Sequence, residues 1–246
     1  MYRSQVPERH SAPMKSQHDD VTAFRLALWL NAWIAQDISI ADAANACESI
    51  SHSLDLTWQG QRLPWLNFLA DIQTAVTSAT ALLPSPGNPD GVAPAIARQF
   101  DTSIGLVALG SEIVLGKTVE ETWVAITSDI SKTPTDFNFA RMQMLEALTA
   151  AQSALANLDL TGSRVTADTA LDSLNFGLVP PGTSKRVLDA VEQGYRIATL
   201  ARIAKDDAIA IASRSQNAMK AEILSELERC ARELLQAAVS SGYRAN

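Results

Sequence analysis

Five apolar residues near the C-terminus, Ile223, Leu227, Cys230, Leu234 and Ala237, recur by alternating steps of four and three. That spacing makes one narrow face of an α-helix apolar and asks for one or two partner helices to cover it. On the other face Glu228 stands four before Arg232, and Arg229 four before Glu233. Such pairs add about 0.3 kcal/mol each to an exposed helix and read as a solvated side. A second stripe, Phe139, Met142, Leu145, Leu148, Leu155 and Leu158, follows from Phe137 at helical spacing. A loop with a short helical segment near 166–174 comes next. "LVPPGTSKR" then introduces a helix through Val187, Val191, Tyr195 and Ala198, and Asp206–Asp207 marks the break before the last one.

The first half is more varied. A helix over Val21 to Ala35, opened by Asp19 or Asp20, carries Phe24, Leu28, Trp29 and Trp33. Ser39 with Asp42 three residues on is a capping-box spacing and predicts a second helix through Ala43, Ala44, Cys47 and Ile50. Leu54, Leu56 and Trp58 alternate with polar neighbours, which predicts a short strand with a turn at Gly60. Pro64 suits the first position of a helix through "PWLNFLADIQTAVTSATALL". "PSPGNPDG" (84–91), with three prolines and two glycines, ends that helix as an ordered loop. Across 93–131 the expectation is a short helical segment around 94–100 and two or three small strands. The fold class expected is mainly α: a multi-helix bundle with a small antiparallel β element in the middle, α+β being the alternative. The organisation expected is a mobile arm over 1–18 and one helical domain over 19–246, with a sub-boundary near 131–137.

Bulk properties exclude some partners. With 246 residues, 47% of them hydrophobic, the chain has ample material for a core. A formal charge of −7, only 20 Lys plus Arg and no basic run speak against nucleic acid. The 21–35 helix contains Arg25 and Asn31 and falls short of the ~20 apolar residues a membrane span needs, so no membrane partner is expected. The polar N-terminus has no signal-peptide core, and Cys47 and Cys230 sit on apolar helical stretches like buried free thiols. A cytoplasmic protein is the expectation.

"LGSEIVLGKT" (109–118) ends like a phosphate loop, but Ser111 stands where the first glycine belongs. Ile113, Val114 and Leu115 are too bulky to wrap phosphates, and Glu112 has the wrong sign. A strand over 112–115 ending in a Gly-Lys turn is the better reading. His10, His18 and His52 have no ligand spacing with either cysteine, so no metal and no cofactor are expected. Neither Gly-x-Ser-x-Gly nor Gly-x-Gly-x-x-Gly occurs. The five tryptophans all lie in the first half and read as core.

Three stretches, "LLPSPGNPDGVAP", "GSEIVLG" and "LVPPGTSKRVLDAV", resemble in order and spacing a group of uncharacterised bacterial proteins of about this length. That group carries an L-P-x-P-G loop, a G-E-x-V segment and a P-P-G-opened hairpin of Ala/Leu-rich helices. This chain departs from it at Asn88 and Ser111. The resemblance implies a fold-level role for Gly110 and Glu112 and brings no activity or catalytic residue.

Two functions stay open, and whether the protein is an enzyme is left unassigned. The first is a non-enzymatic interaction or regulatory protein working through helix faces, as a homodimer or on another partner. The second is a small-molecule-binding protein or enzyme with a site between the 84–91 loop and the 104–126 segment. Asn88, Asp90, Arg98, Glu112 and Trp123 would supply the polar and aromatic groups of that site.

Overall fold

The computed structural model describes residues 21–84, 88–132, 135–157, 179–206 and 214–241. The 1–18 arm, the Asp19/Asp20 cap, Leu158 and the 166–174 segment lie outside the described residues. Helix α1 (Thr22–Ile34) begins after Val21, whose side chain makes no capping bond. Helix α2 (Ile40–Ser51) opens on the expected capping box: Asp42 N–H donates to Ser39 Oγ at 3.1 Å, and the Asp42 carboxylate accepts from the Ser39 N–H. His52 ends it in the left-handed region.

The mainly-α expectation is overturned. Strands β1 (Asp55–Trp58), β2 (Gln61–Pro64), β3 (Ala79–Leu82), β4 (Leu106–Leu109), β5 (Ile113–Lys117) and β6 (Trp123–Thr127) form one six-stranded mixed sheet, ordered β2-β1-β6-β5-β4-β3. The architecture is α+β. Strands β3 to β6 are an antiparallel meander, and β1–β2 is a tight hairpin through Gln59 and Gly60, both at positive φ. The hairpin joins the meander through a parallel β1–β6 contact at Thr57–Val124 and Trp58–Ala125.

The long helix expected from Pro64 is also corrected. Helix α3 (Trp65–Ile72) stops early, and "ATAL" becomes the edge strand β3. In Ala-Thr-Ala-Leu only Thr80 favours a strand; tertiary context decides it. Asn31 of α1 presents its amide to β3, Oδ1 accepting from Ala79 N–H at 2.8 Å and Nδ2 donating to Ala79 C=O at 2.7 Å. A side-chain amide thus does what a neighbouring strand would do, and the edge is covered.

β3 and β4 are buried at every position because both sheet faces are covered, which erases the period-two signal. One face meets α1–α3 in the main core, where all five tryptophans are buried. Trp65 lies edge-on to Phe68 and Trp123, with centroids 6.2 and 6.1 Å apart. The other face is closed by Val92, Ala97 and Phe100, carried by the short helix α4 (Pro94–Ala97) and its flanks.

The three long helices are α5 (Phe137–Asn157), α6 (Lys185–Asp206) and α7 (Arg214–Ser241). The α7 seam is consumed inside the molecule: Leu227, Cys230, Leu234 and Ala237 are buried, and α7 packs on α5, α6, α1 and β3. In α5 the buried residues are Phe137, Ala140, Met144 and Ala151, so Phe139, Met142 and Leu145 stand 50, 50 and 43% exposed. Among the described residues no helix is long and apolar enough to cross a membrane.

Candidate functional site

The 109–118 stretch closes as structure. Gly110 (φ 61°), Ser111 and Glu112 turn β4 into β5, and Gly116 and Lys117 are strand residues rather than the expected turn. A Cβ on Gly116 would lie 2.5 Å from Leu106 Cδ2 and 2.8 Å from Phe100 Cδ1, so that glycine makes room for a ring, not a phosphate. Lys117 pairs with Glu121 at 3.1 Å.

The site candidates separate. Arg98 is exposed at the end of α4, and Glu112 is exposed in the β4–β5 turn, where its carbonyl accepts from Ser128 N–H at 2.8 Å. Trp123 is core, its Nε1 donating to Ser51 C=O at 3.1 Å. Only Asn88 and Asp90 share a site. It lies between the 84–91 loop and α7 rather than against the 104–126 segment.

The loop builds that site locally. Asn88 Oδ1 accepts from Asp90 N–H at 3.1 Å and steadies Asp90 at φ 53°, a conformation Asp tolerates. Gly91 follows at φ 85°; a Cβ there would lie 2.5 Å from that of Lys132. Ser131 N–H donates to Gly91 C=O at 3.0 Å and Val92 pairs with Ile130, which draws the 128–132 segment alongside. Lys132 Nζ then donates to both Asp90 Oδ1 and Gln236 Oε1 of α7, and Gln236 Nε2 donates to Asp90 Oδ2. Leu83 N–H completes the set at 2.7 Å. With the Lys132 and Asp90 side chains 18 and 10% exposed, this triangle latches loop to helix.

Below the latch opens a cavity of about 460 Å³, floored by Glu228, Arg229, Arg232 and Glu233 of α7 and bordered by Lys205 of α6. The face read as solvated is therefore the floor of a cleft. Arg229 is gripped by Glu226 at 2.8 and 2.5 Å and by Glu233 at 2.6 Å. Its hydrogen bonds hold the Glu226 carboxyl below the usual range, and the same bonds push the guanidinium higher still. Glu228 bridges Lys205 at 3.1 Å and Arg232 at 2.8 Å. Among the described residues Glu228 is the acceptor Arg232 reaches, through Nη2.

A second cavity of about 270 Å³ adjoins the first and shares Leu83, Glu228 and Arg232 with it. Its walls include Phe24, Pro84, Tyr195 and Leu235. Lys132, Lys205, Arg232 and Gln236 escaped the sequence reading. The one signal for Arg232 was the charge pattern of α7, which looks the same whether it faces solvent or a cleft.

Both thiols are buried, and burial pushes both up in pKa, so neither is a poised nucleophile. For Cys230 the adjacent Arg229 opposes the rise. Among the described residues no three His, Cys, Asp or Glu come together as a metal set.

Comparison with known proteins gives two matches. Residues 23–124 match the model for the N-terminal domain of Rv1486c-like proteins, and residues 139–235 match that for their C-terminal domain. No curated protein and no solved structure matches the chain. The cleft lies on the line between the two ranges: Leu83, Asn88 and Asp90 come from the first, and Lys205, Glu228, Arg229 and Arg232 from the second.

Proposed function

We propose that this chain, which belongs to the Rv1486c-like family, is a regulatory binding protein that holds a small anionic molecule in the cleft between its two family-matched halves. The observation that carries this reading is Arg232, which borders both cavities while Glu228 is the one acceptor it reaches among the described residues, through Nη2. The lining of the larger cavity adds support: Lys132, Lys205, Arg229 and Arg232 face Asp90, Glu228 and Glu233, a cationic excess on a protein of net charge −7. Small-molecule sites favour such junctions between structural units. Binding fits better than proton chemistry, because Asp90 already accepts from Leu83, Lys132 and Gln236, whereas a general base must face its proton.

Thermal unfolding with small anions tests it. A ligand bound only by the native state raises the Tm. The expected result is a rise for at least one anion that Arg232→Gln abolishes; unchanged melting across phosphate, citrate and monocarboxylates would overturn the reading.

A second reading rests on Phe139, Met142 and Leu145, three large apolar side chains on the outward face of α5. These would serve self-association through helices. Light scattering at tens of micromolar tests it: a dimer that Met142→Glu dissociates supports it, and a monomer sinks it.

A further inference from the structure

The two cavities differ in character, and their shared wall fixes how a ligand would lie across them. The larger is polar. The smaller is mixed: Phe24, Leu83, Pro84, Tyr195, Ala198 and Leu235 form an apolar side, with Phe24, Tyr195 and Leu235 buried core side chains, while Thr102, Ser103 and Thr199 add hydroxyls. Arg202 and Arg232 are its cations, against Glu228 alone. Resting on the binding role proposed above, we infer that the ligand is an aromatic carboxylate: its charged end meets Arg232 and its ring enters the Phe24–Tyr195–Leu235 compartment.

Size and solvation both point this way. An apolar cavity of about 150 Å³ takes one benzene ring, so a cavity of about 270 Å³ admits a ring with a short chain. A hydrated inorganic anion gains nothing from the Phe24–Tyr195–Leu235 side of that compartment, because leaving water for apolar walls is unfavourable for a charge. A neutral arene would fill it but bring no anion to Arg232, and charge-assisted hydrogen bonds are the stronger ones. One molecule carrying both features uses both cavities.

Titration calorimetry and thermal unfolding of the full chain test the assignment with four probes: 3-phenylpropionate, acetate, inorganic phosphate and 3-phenylpropan-1-ol. The expected order puts 3-phenylpropionate first, with the other three weaker by about tenfold or more, the worth of one charged hydrogen bond. Arg232→Gln lowers 3-phenylpropionate affinity by about tenfold, and Arg232→Lys restores part of it. Ala198→Leu, which narrows the apolar side of the compartment, weakens 3-phenylpropionate more than it weakens phosphate. Unliganded melting curves show whether each variant folds, and the probe order in the unaltered protein needs no variant. Phosphate or acetate binding as well as 3-phenylpropionate overturns the aromatic assignment and keeps the anion site. Silence from all four probes overturns the assignment, and silence from the wider anion panel overturns the binding role with it.

Discussion

Helices α5 and α7 both carry apolar residues at helical spacing, and the molecule treats the first turns of the one and the seam of the other in opposite ways. On α7 the seam Leu227, Cys230, Leu234 and Ala237 is sealed beneath α5, α6, α1 and β3, while the charged side floors a cleft. On α5 the members Phe139, Met142 and Leu145 face out, and Phe137, Ala140, Met144 and Ala151 face in. Period tells which residues share a face; whether that face is covered depends on what the rest of the chain brings up to it. For α7 the cover comes from both halves, so its seam is a keystone. For α5 the cover comes from α7 on its inward side.

Substitutions can break this contrast, and the largest effect is expected in the seam. Leu234→Ala removes a fully buried side chain and should cost about 3 kcal/mol in denaturant unfolding. A cost under about 1 kcal/mol would mean that the seam is looser than its burial indicates. Next comes the latch: Asp90→Ala strands Lys132 and Gln236 and should cost about 2 kcal/mol. Asp90→Asn should recover part of this by still accepting from Leu83 N–H.

The thiols sharpen the contrast by pH. Burial raises the pKa of Cys230 on the seam, and of Cys47 under α1. A raised folded pKa gives stability that is whole below the ordinary thiol value, about 8.5, and is lost as pH rises above it. Each thiol should lower stability by at most about 1.4 kcal/mol per pH unit there, and Cys230→Ala should flatten its share. Rapid native-state reaction of both thiols with an aromatic disulfide reagent at pH 8 would contradict the burial. The smallest effect is expected on the open stripe. Met142→Glu should change unfolding by under about 0.5 kcal/mol, because half of that side chain is already in water. A loss above 1 kcal/mol would show that something covers it.

What the sequence disclosed follows the same logic. Local signals held where they were local: the Ser39–Asp42 box, a strand through Leu56 and Trp58 (without Leu54, which is exposed), strands in the middle where two or three were expected, and the α7 seam. Where a distant element decides, the sequence was silent. "ATAL" is a strand because Asn31 pairs with its edge, and β4 lacks alternation because Phe100 covers its second face. Asp90 was found from a turn signature, yet its partners Lys132 and Gln236 lie far along the chain with nothing local to mark them. Arg98, Glu112 and Trp123 were grouped with it by proximity in sequence, and the sheet sends them to three different places.

The parallel contact between β1 and β6 carries a consequence for how the chain reaches its native state. The hairpin β1–β2 and the strands β4–β6 close over short loops, and β3 joins β4 across residues 83–105, but Thr57 cannot meet Val124 until everything between them has been gathered. Contacts of such sequence separation are the slow ones, since loop-closure entropy precedes their reward. On a ribosome the hairpin must wait for β6 to emerge. The expected order is two locally formed pieces followed by their docking, with Trp58 and Trp123 acquiring protection last. Pulsed hydrogen exchange at Thr57 and Ala125 measures this, and protection there as early as at Val107 and Val114 would reverse the order.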